Sequence, residues 1–221
     1  MTTFNNQDLQ SKFDENGYIA INPLFSIDKI EEIKIELSRY IKDVSPNVPD
    51  HHIFYENKDD KTTIKQLQQM FTYDDYFKKL IENSPIREVA EIVLREKAQP
   101  KNLQFFNKPP GIGKPTPPHQ DGYYFMLKKH NAVTCWLALE KVDEENGCIH
   151  YVKGSHKSEY RPHGRSNVLG FSQGITDFGN EEDRFYYLID NPKINICIKL
   201  YKDKNLYVHT IGLIDYKINN K

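Results

Sequence analysis

Two residues with metal-binding side chains, His119 and Asp121, are separated by a single residue. In an extended strand, residues i and i+2 point to the same face, so this spacing predicts that the imidazole and the carboxylate project together. One nitrogen and one oxygen ligand on one face are two thirds of the 2-His-1-carboxylate triad, which holds non-haem Fe(II) and leaves positions open for other ligands. Gln120 should point to the opposite face and is not expected to bind metal.

The pair lies within an ordered set of sequence segments. An apolar run leads into a Pro/Gly loop at 102–111, and the segments 132–139 and 145–157 read AVTCWLAL and ENGCIHYVKGSHK. With the His-x-Asp pair, these segments resemble the phytanoyl-CoA dioxygenase family, which includes ectoine-hydroxylase-like enzymes. The resemblance runs over about 9–209 and is most specific over 104–157.

The resemblance implies a mainly β fold with added α-helices: a double-stranded β-helix (jelly-roll, cupin-like) core flanked by N-terminal helices. It also implies a dioxygenase that uses Fe(II), molecular oxygen and 2-oxoglutarate to hydroxylate a small organic or acyl substrate, with release of succinate and carbon dioxide. The alternative is a catalytically impaired member that keeps the scaffold as a metal- or ligand-binding protein. A hydrolytic or isomerising cupin-type site would fit the ligand types but not the family segments.

The resemblance also assigns further site residues. It favours His209, 90 residues after His119 (209 − 119), as the third metal ligand. In many relatives a non-ligating His lies shortly before the ligating one, and that alignment would put Asp215 in the ligand position instead. Gln104 and Trp136 match positions beside the cosubstrate and are carried over as cofactor-binding residues.

One family feature has no clear counterpart in this sequence. The family uses an Arg or Lys beyond the distal His to bind the carboxylate of 2-oxoglutarate, and here no arginine follows Arg184, so Lys217 and Lys221 are the nearby cations. A lysine neutralises a carboxylate as a point charge but lacks the planar fork of arginine. We therefore expect weakened binding of 2-oxoglutarate.

Composition excludes several other classes of protein. The 221 residues carry a net charge of −1, which provides no global field for nucleic acid or an anionic membrane. No apolar run approaches the ~20 residues that span a bilayer, and the N-terminal residues show no secretory signal. The cysteines Cys135, Cys148 and Cys197 lie in apolar runs, which predicts buried thiols and a reducing, cytoplasmic location. The expected partner is a small-molecule substrate, bound by a monomer or homodimer.

The chain is interpreted as a single domain, 1–221, with a helical part at about 1–98 and a jelly-roll core at about 99–215. Ser26 and Ser84-Pro85 are predicted helix starts. The three- and four-residue spacing of apolar residues after Ser26 predicts an amphipathic helix, with one apolar stripe formed by Ile27, Ile30, Ile33, Leu37 and Ile41. Strands are predicted near 102–107, 121–127, 132–139, 148–153, 194–200 and 205–209. The long polar excursion at 157–191, which carries His163, is expected to be mobile and to act as a lid.

Overall fold

The computed structural model describes residues 5–109, 111–125, 132–140, 142, 149–178, 185–187 and 196–201, the last two segments through their backbone alone. The following predicted features lie outside the described residues: the strand at 205–209, His209, Asp215, Lys217, Lys221 and Cys148.

The N-terminal part folds into helices around an apolar core. The helices are α1 (Asn6–Asn16), α2 (Ile27–Arg39), α3 (Met70–Tyr73), α4 (Asp75–Glu82) and α5 (Pro85–Leu94). Both predicted helix starts are confirmed, because the Ser26 hydroxyl accepts the Lys29 N–H at 3.2 Å and the Ser84 hydroxyl accepts the Ile86 N–H at 3.3 Å. Each serine satisfies a backbone donor that the first helical turn leaves unpaired.

Helix α2 ends at Arg39, so it carries four of the five residues of the predicted apolar stripe, and Ile41 follows it as a half-buried residue. Ile30, Ile33 and Leu37 are buried in the main core. Ile27, the first residue of the helix, is 81% exposed, so the apolar stripe is not buried at its first position. Helical periodicity places Ile27 on the apolar side, but periodicity does not show whether a neighbouring element reaches the first turn.

The described strands form four antiparallel sheets. The strands are β1 (Tyr18–Ile21), β2 (Ile53–Tyr55), β3 (Ile64–Leu67), β4 (Phe105–Phe106), β5 (Ala132–Trp136), β6 (His150–Val152), β7 (His163–Val168), β8 (Phe171–Ile175), β9 (Phe185–Tyr187) and β10 (Ile196–Tyr201). Their order is β1-β10-β5, β2-β3-β4, β6-β9 and β7-β8. The fold is therefore α+β, and strands from the N-terminal part contribute to two of the sheets.

Two sequence predictions need correction. The strand predicted at 121–127 is wrong, because Asp121–Phe125 forms a short helix, α6. Aromatic residues favour strands on average, but here Tyr123 stacks on the His163 side chain of β7 and the Tyr124 hydroxyl bonds to the backbone of Gln173 in β8, and tertiary contacts outweigh propensity. The excursion at 157–191 also contains regular structure, the β7–β8 hairpin, which the sequence analysis did not predict.

Strand β5 separates the helical core from the side of the sheet that carries the site. Val133 and Cys135 pack into the main core with the helices, whereas Trp136 belongs to a second apolar cluster with Tyr151. Cys135 is 1% exposed, which confirms a buried thiol, and burial raises its pKa. Within the described part of the chain, no helix combines the length and apolar character needed to cross a membrane.

Candidate metal site

His119 and Asp121 meet side by side. The distance from His119 Nε2 to Asp121 Oδ1 is 3.1 Å, and the two side chains are only 21% and 17% exposed. Two ligands in neighbouring octahedral positions, each ~2.1 Å from a metal, are about 3.0 Å apart. The spacing of the two atoms therefore fits a pair of ligands on one metal ion.

The hydrogen bond on the other ring nitrogen of His119 orients the imidazole for metal binding. Nδ1 lies 2.8 Å from the backbone carbonyl of Pro117, a contact in which the nitrogen must donate. The neutral ring then presents a lone pair at Nε2, facing a carboxylate oxygen. Two lone pairs at this distance repel, and a metal ion bound to both atoms would remove that repulsion.

The second carboxylate oxygen of Asp121 has a partner of its own. Thr134 Oγ1 donates to Asp121 Oδ2 at 3.0 Å. Thr134 belongs to β5 and is 8% exposed, so a buried strand carries the hydroxyl. The two oxygens of Asp121 are thus distinguished, since one faces His119 and the other faces the sheet.

The prediction that His119 and Asp121 converge because they lie on one strand was wrong about the strand. The two side chains do converge. Asp121 begins α6, and the Tyr123 N–H donates to the Gln120 carbonyl at 3.0 Å, so the two candidate ligands do not lie on one extended strand. Gln120 points away from the metal pair, as predicted. Its Oε1 accepts the Arg161 N–H at 2.8 Å.

His163 contacts the peptide between the two candidate ligands. Its Nε2 accepts the Gln120 N–H at 3.2 Å, while Nδ1 lies 2.8 Å from the carbonyl of Arg161. The ring is stacked on Tyr123 with a centroid separation of 4.0 Å and an interplanar angle of 13°. The neutral tautomer with a proton on Nδ1 satisfies both hydrogen bonds at once. His163 is thus placed against the site by β7, and the mobility expected of the excursion stays a prediction.

Strand β8 also contacts the segment that carries the two candidate ligands, at Pro118 and at Tyr124. The Ile175 N–H donates to the Pro118 carbonyl at 2.8 Å. The Tyr124 hydroxyl accepts the Gln173 N–H at 3.2 Å and donates to the Gln173 carbonyl. Burial raises the pKa of Tyr124, and the nearby Asp121 carboxylate adds to this rise, so the phenol keeps its donor proton at neutral pH.

Aromatic rings surround His119. The Tyr124 ring meets it edge to face at 5.5 Å, and the Phe171 ring of β8 lies 5.3 Å away. These rings limit the access of water on that side and restrict the rotation of the imidazole.

The two predicted cofactor-binding residues lie in different surroundings. Gln104 is half-buried, and its Oε1 accepts N–H groups from Gln66 at 2.9 Å and from Asn102 at 3.0 Å. Trp136 is fully buried, and its indole N–H has no hydrogen-bond partner among the described residues. Trp136 shares a face of β5 with Thr134, because i and i+2 of a strand point the same way. That face is the one from which Thr134 reaches Asp121.

A buried ion pair lies on β3. Lys65 Nζ is 2.8 Å from Glu56 Oε1, and both side chains are 5% exposed. Lys65 approaches the β7–β8 turn, since its Cε lies 3.9 Å from the position a Cβ would occupy on Gly170. Gly170 precedes Phe171, the neighbour of the His119 ring. Lys65 is thus a buried cation near the site that the sequence analysis missed.

No group of three His, Cys, Asp or Glu side chains that could hold a metal forms within the described part of the chain. The structure brings together His119 and Asp121, and the predicted third ligand, His209, falls outside the described residues. The sequence analysis also missed the contact of Thr134 with Asp121 and the contact of His163 with Gln120, the residue between the two candidate ligands. Only the motif RPH around His163 could have drawn attention, and nothing in its spacing indicates a contact with Gln120.

Known proteins with similar sequences extend over most of the chain. Residues 13–177 match the family model described as phytanoyl-CoA dioxygenase (PhyH). The peroxisomal phytanoyl-CoA dioxygenase of Mus musculus is 27% identical over 195 residues, covering 82% of this chain and 58% of that protein. The Bos taurus protein is 28% identical over 197 residues, with the same shares covered. The chain thus spans 58% of the length of these relatives.

Solved structures with a similar fold include three proteins of low sequence identity. The apoform of EctD from S. alaskensis has a TM-score of 0.65 at 13% identity, covering 90% of this chain and 69% of that one. The epimerase SnoN, in complex with Fe3+, alpha ketoglutarate and nogalamycin RO, has a TM-score of 0.61 at 15% identity, covering 89% and 74%. EvdO2 from Micromonospora carbonacea var. aurantiaca, complexed with 2-oxoglutarate, has a TM-score of 0.59 at 19% identity, covering 90% and 81%. At these identities the likeness concerns the fold.

Proposed function

Because the chain belongs to the phytanoyl-CoA dioxygenase family, we propose that it is a non-haem Fe(II)/2-oxoglutarate-dependent dioxygenase that hydroxylates a small organic or acyl substrate. The family resemblance predicted from the sequence is confirmed. The proposal for the activity of the whole protein rests mainly on one observation, the 3.1 Å separation of His119 Nε2 and Asp121 Oδ1. That separation suits two neighbouring ligands of one ion.

The residues around the pair fit an iron site. An imidazole nitrogen and a carboxylate oxygen are two thirds of the facial triad, and His209, or Asp215 in the alternative alignment, would provide the third ligand. When bound, the iron and 2-oxoglutarate would supply, together with molecular oxygen, the oxidising chemistry for hydroxylation: one oxygen atom goes to the substrate and the other to succinate, with release of carbon dioxide. The chain's own residues set the ligand geometry and limit the access of water to it.

Individual side chains have distinct parts in this proposal. The carbonyl of Pro117 keeps the proton of His119 on Nδ1, so Nε2 remains free to bind metal. The rings of Tyr124 and Phe171 exclude water beside the imidazole. Gln104 and Trp136 are proposed to contact the cosubstrate. For Trp136 this is supported by its indole N–H, which has no partner among the described residues, and for Gln104 it rests on the family resemblance.

The fold and setting of the protein complete the proposal. We propose one domain, 1–221, with a double-stranded β-helix core, supported by the likeness to EctD and EvdO2. The expected partner is a small-molecule substrate, and a monomer or homodimer stays a prediction. The cytoplasmic location also stays a prediction, since the mouse and bovine relatives are named as peroxisomal.

Anaerobic titration tests the proposed function. Fe(II) and then 2-oxoglutarate are added to the purified protein while the visible charge-transfer band of the chelate is recorded, and oxygen is then admitted and succinate assayed. We expect a chelate band with the wild-type protein and no band with His119→Ala, since one of three protein ligands is lost. His51→Ala, the same change at an exposed histidine of the N-terminal part, is the matched control and should leave the band intact.

The strength of cosubstrate binding is a second readout. If a lysine replaces the arginine fork, the loss of about one charge-assisted hydrogen bond, ~1.5–3 kcal/mol, should weaken 2-oxoglutarate binding roughly ten- to a hundredfold. Tight binding with rapid turnover would show that another residue binds the carboxylate, and Lys65 would be the candidate. The absence of a chelate band at any concentration would favour a ligand-binding protein without this activity. Full metal affinity in His209→Ala with loss in Asp215→Ala would assign the third ligand to Asp215.

A further inference from the structure

We propose that Thr134 is a positioning residue that makes Asp121 a one-oxygen ligand. The hydroxyl of Thr134 donates to Asp121 Oδ2 at 3.0 Å, while Asp121 Oδ1 lies 3.1 Å from His119 Nε2. The two carboxylate oxygens therefore have different partners: Oδ1 would bind the metal, and Oδ2 accepts a hydrogen bond from strand β5. This inference rests on the proposed metal site.

The hydroxyl is well placed to fix the carboxylate. Thr134 is 8% exposed and lies in β5, whose five residues are all buried and which pairs with β10, with Thr134 opposite Lys199. A β-branched residue has few χ1 rotamers in a strand, so the position of its hydroxyl is restricted. Asp121 is the first residue of a five-residue helix, so regular structure restrains it less than it restrains Thr134 within β5. The rigid partner therefore sets the orientation of the less restrained one.

The consequence concerns the coordination of the metal. A carboxylate without a bond on its second oxygen can rotate and bind a metal through both oxygens, which would use a position that a facial triad leaves open. A hydrogen bond on Oδ2 opposes this rotation. Outer hydrogen bonds of this kind orient metal ligands, and their loss typically lowers metal affinity 10–100-fold.

The test compares two substitutions of nearly equal size in the full chain. Thr134→Val keeps the branched shape and removes the hydroxyl, whereas Thr134→Ser keeps the hydroxyl. Co(II) is titrated anaerobically, and both its dissociation constant and its visible absorption spectrum are recorded, since the spectrum reports the number and geometry of ligands. Thr72→Val, the same change at an exposed position of α3, is the control, and melting temperatures show whether each variant folds.

We expect Thr134→Val to bind Co(II) about 10-fold or more weakly than the wild type and with an altered spectrum, and Thr134→Ser to restore both. Wild-type affinity and spectrum in Thr134→Val would overturn the inference alone, whereas a wild-type protein that binds no Co(II) would overturn the proposed metal site with it. If Thr134→Val does not fold, Thr134→Cys supplies a much weaker donor. If Thr134→Cys binds Co(II) more weakly than Thr134→Ser, the inference is supported. If the two variants bind Co(II) equally, it is overturned.

Discussion

In the N-terminal part, Phe13, Ile33 and Val89 are completely buried, and helices with serine or aspartate caps surround them. In the segment 117–125, by contrast, the chain has no regular structure up to Gln120 and then forms a helix of five residues, and bonds from the distant β7–β8 hairpin hold it. Apolar burial stabilises the first region and polar contacts position the second. Stability and ligand geometry should therefore respond to different substitutions.

The largest effect is expected from Phe77→Ala in the N-terminal part. Phe77 is 1% exposed and meets the ring of Tyr40 edge to face at 5.4 Å. Removal of the ring leaves a cavity and should lower the free energy of unfolding by ~3–5 kcal/mol. The metal affinity of the molecules that remain folded should not change. Chemical denaturation and Co(II) titration of one preparation measure both quantities, and a parallel loss of affinity would show that the two regions are coupled.

A smaller effect on stability is expected from His163→Phe, and unlike Phe77→Ala this substitution should also lower metal affinity. The phenyl ring keeps the stacking on Tyr123 but cannot accept the Gln120 N–H, so the peptide between the two ligands loses its partner. We expect metal affinity to fall roughly 10-fold, while the unpaired buried N–H lowers the free energy of unfolding by ~1–3 kcal/mol, less than in Phe77→Ala. Co(II) titration and thermal unfolding are the measurements.

A glutamine in the same position provides the control for this substitution. His163→Gln places an amide oxygen near the former Nε2 and should recover part of the affinity, because the oxygen can accept the Gln120 N–H. If His163→Phe binds metal as tightly as the wild type, the hairpin does not position the ligands, and the comparison between the two regions is incorrect.

These contacts also explain how far the sequence could predict the structure. Ser26, Ser84 and the apolar face of α2 were predicted because caps and helical periodicity are local patterns. The helix at Asp121–Phe125 and the contacts of His163 were not, because they depend on residues about 40 positions apart that have no local signature. His119 and Asp121 were predicted from residue type and spacing together with the resemblance of the surrounding segments to the family. Their convergence, however, depends on contacts with β5, β7 and β8.

The smallest predicted effect concerns pH and the N-terminal part. Burial, with a contribution from the adjacent His51, lowers the pKa of His52 below its ordinary value of 6.5, and His52 Nδ1 is 2.8 Å from the Tyr73 hydroxyl. The unfolded chain therefore binds this proton more readily than the folded protein. The contribution of His52 to the free energy of unfolding should be constant well above pH 6.5. It should decrease as the pH falls below 6.5 and through the pKa of His52 in the folded protein.

His52→Asn tests this assignment, because its amide can replace the contact with Tyr73 but does not titrate. Free energies of unfolding at several pH values should show a smaller decrease in acid for this variant than for the wild type. An unchanged slope would assign the pH dependence to other groups. Metal affinity at neutral pH should be the same in both proteins.

The position of the β7–β8 hairpin has a consequence for protein engineering. A peptide or graft that copied only residues 115–125 would carry both candidate ligands, but not His163, Gln173 or Ile175, whose bonds hold that segment in place. Such a graft would have to recover the lost restraint from its new host. The transplantable unit is therefore two pieces of chain about 40 residues apart, together with the strand that presents Thr134.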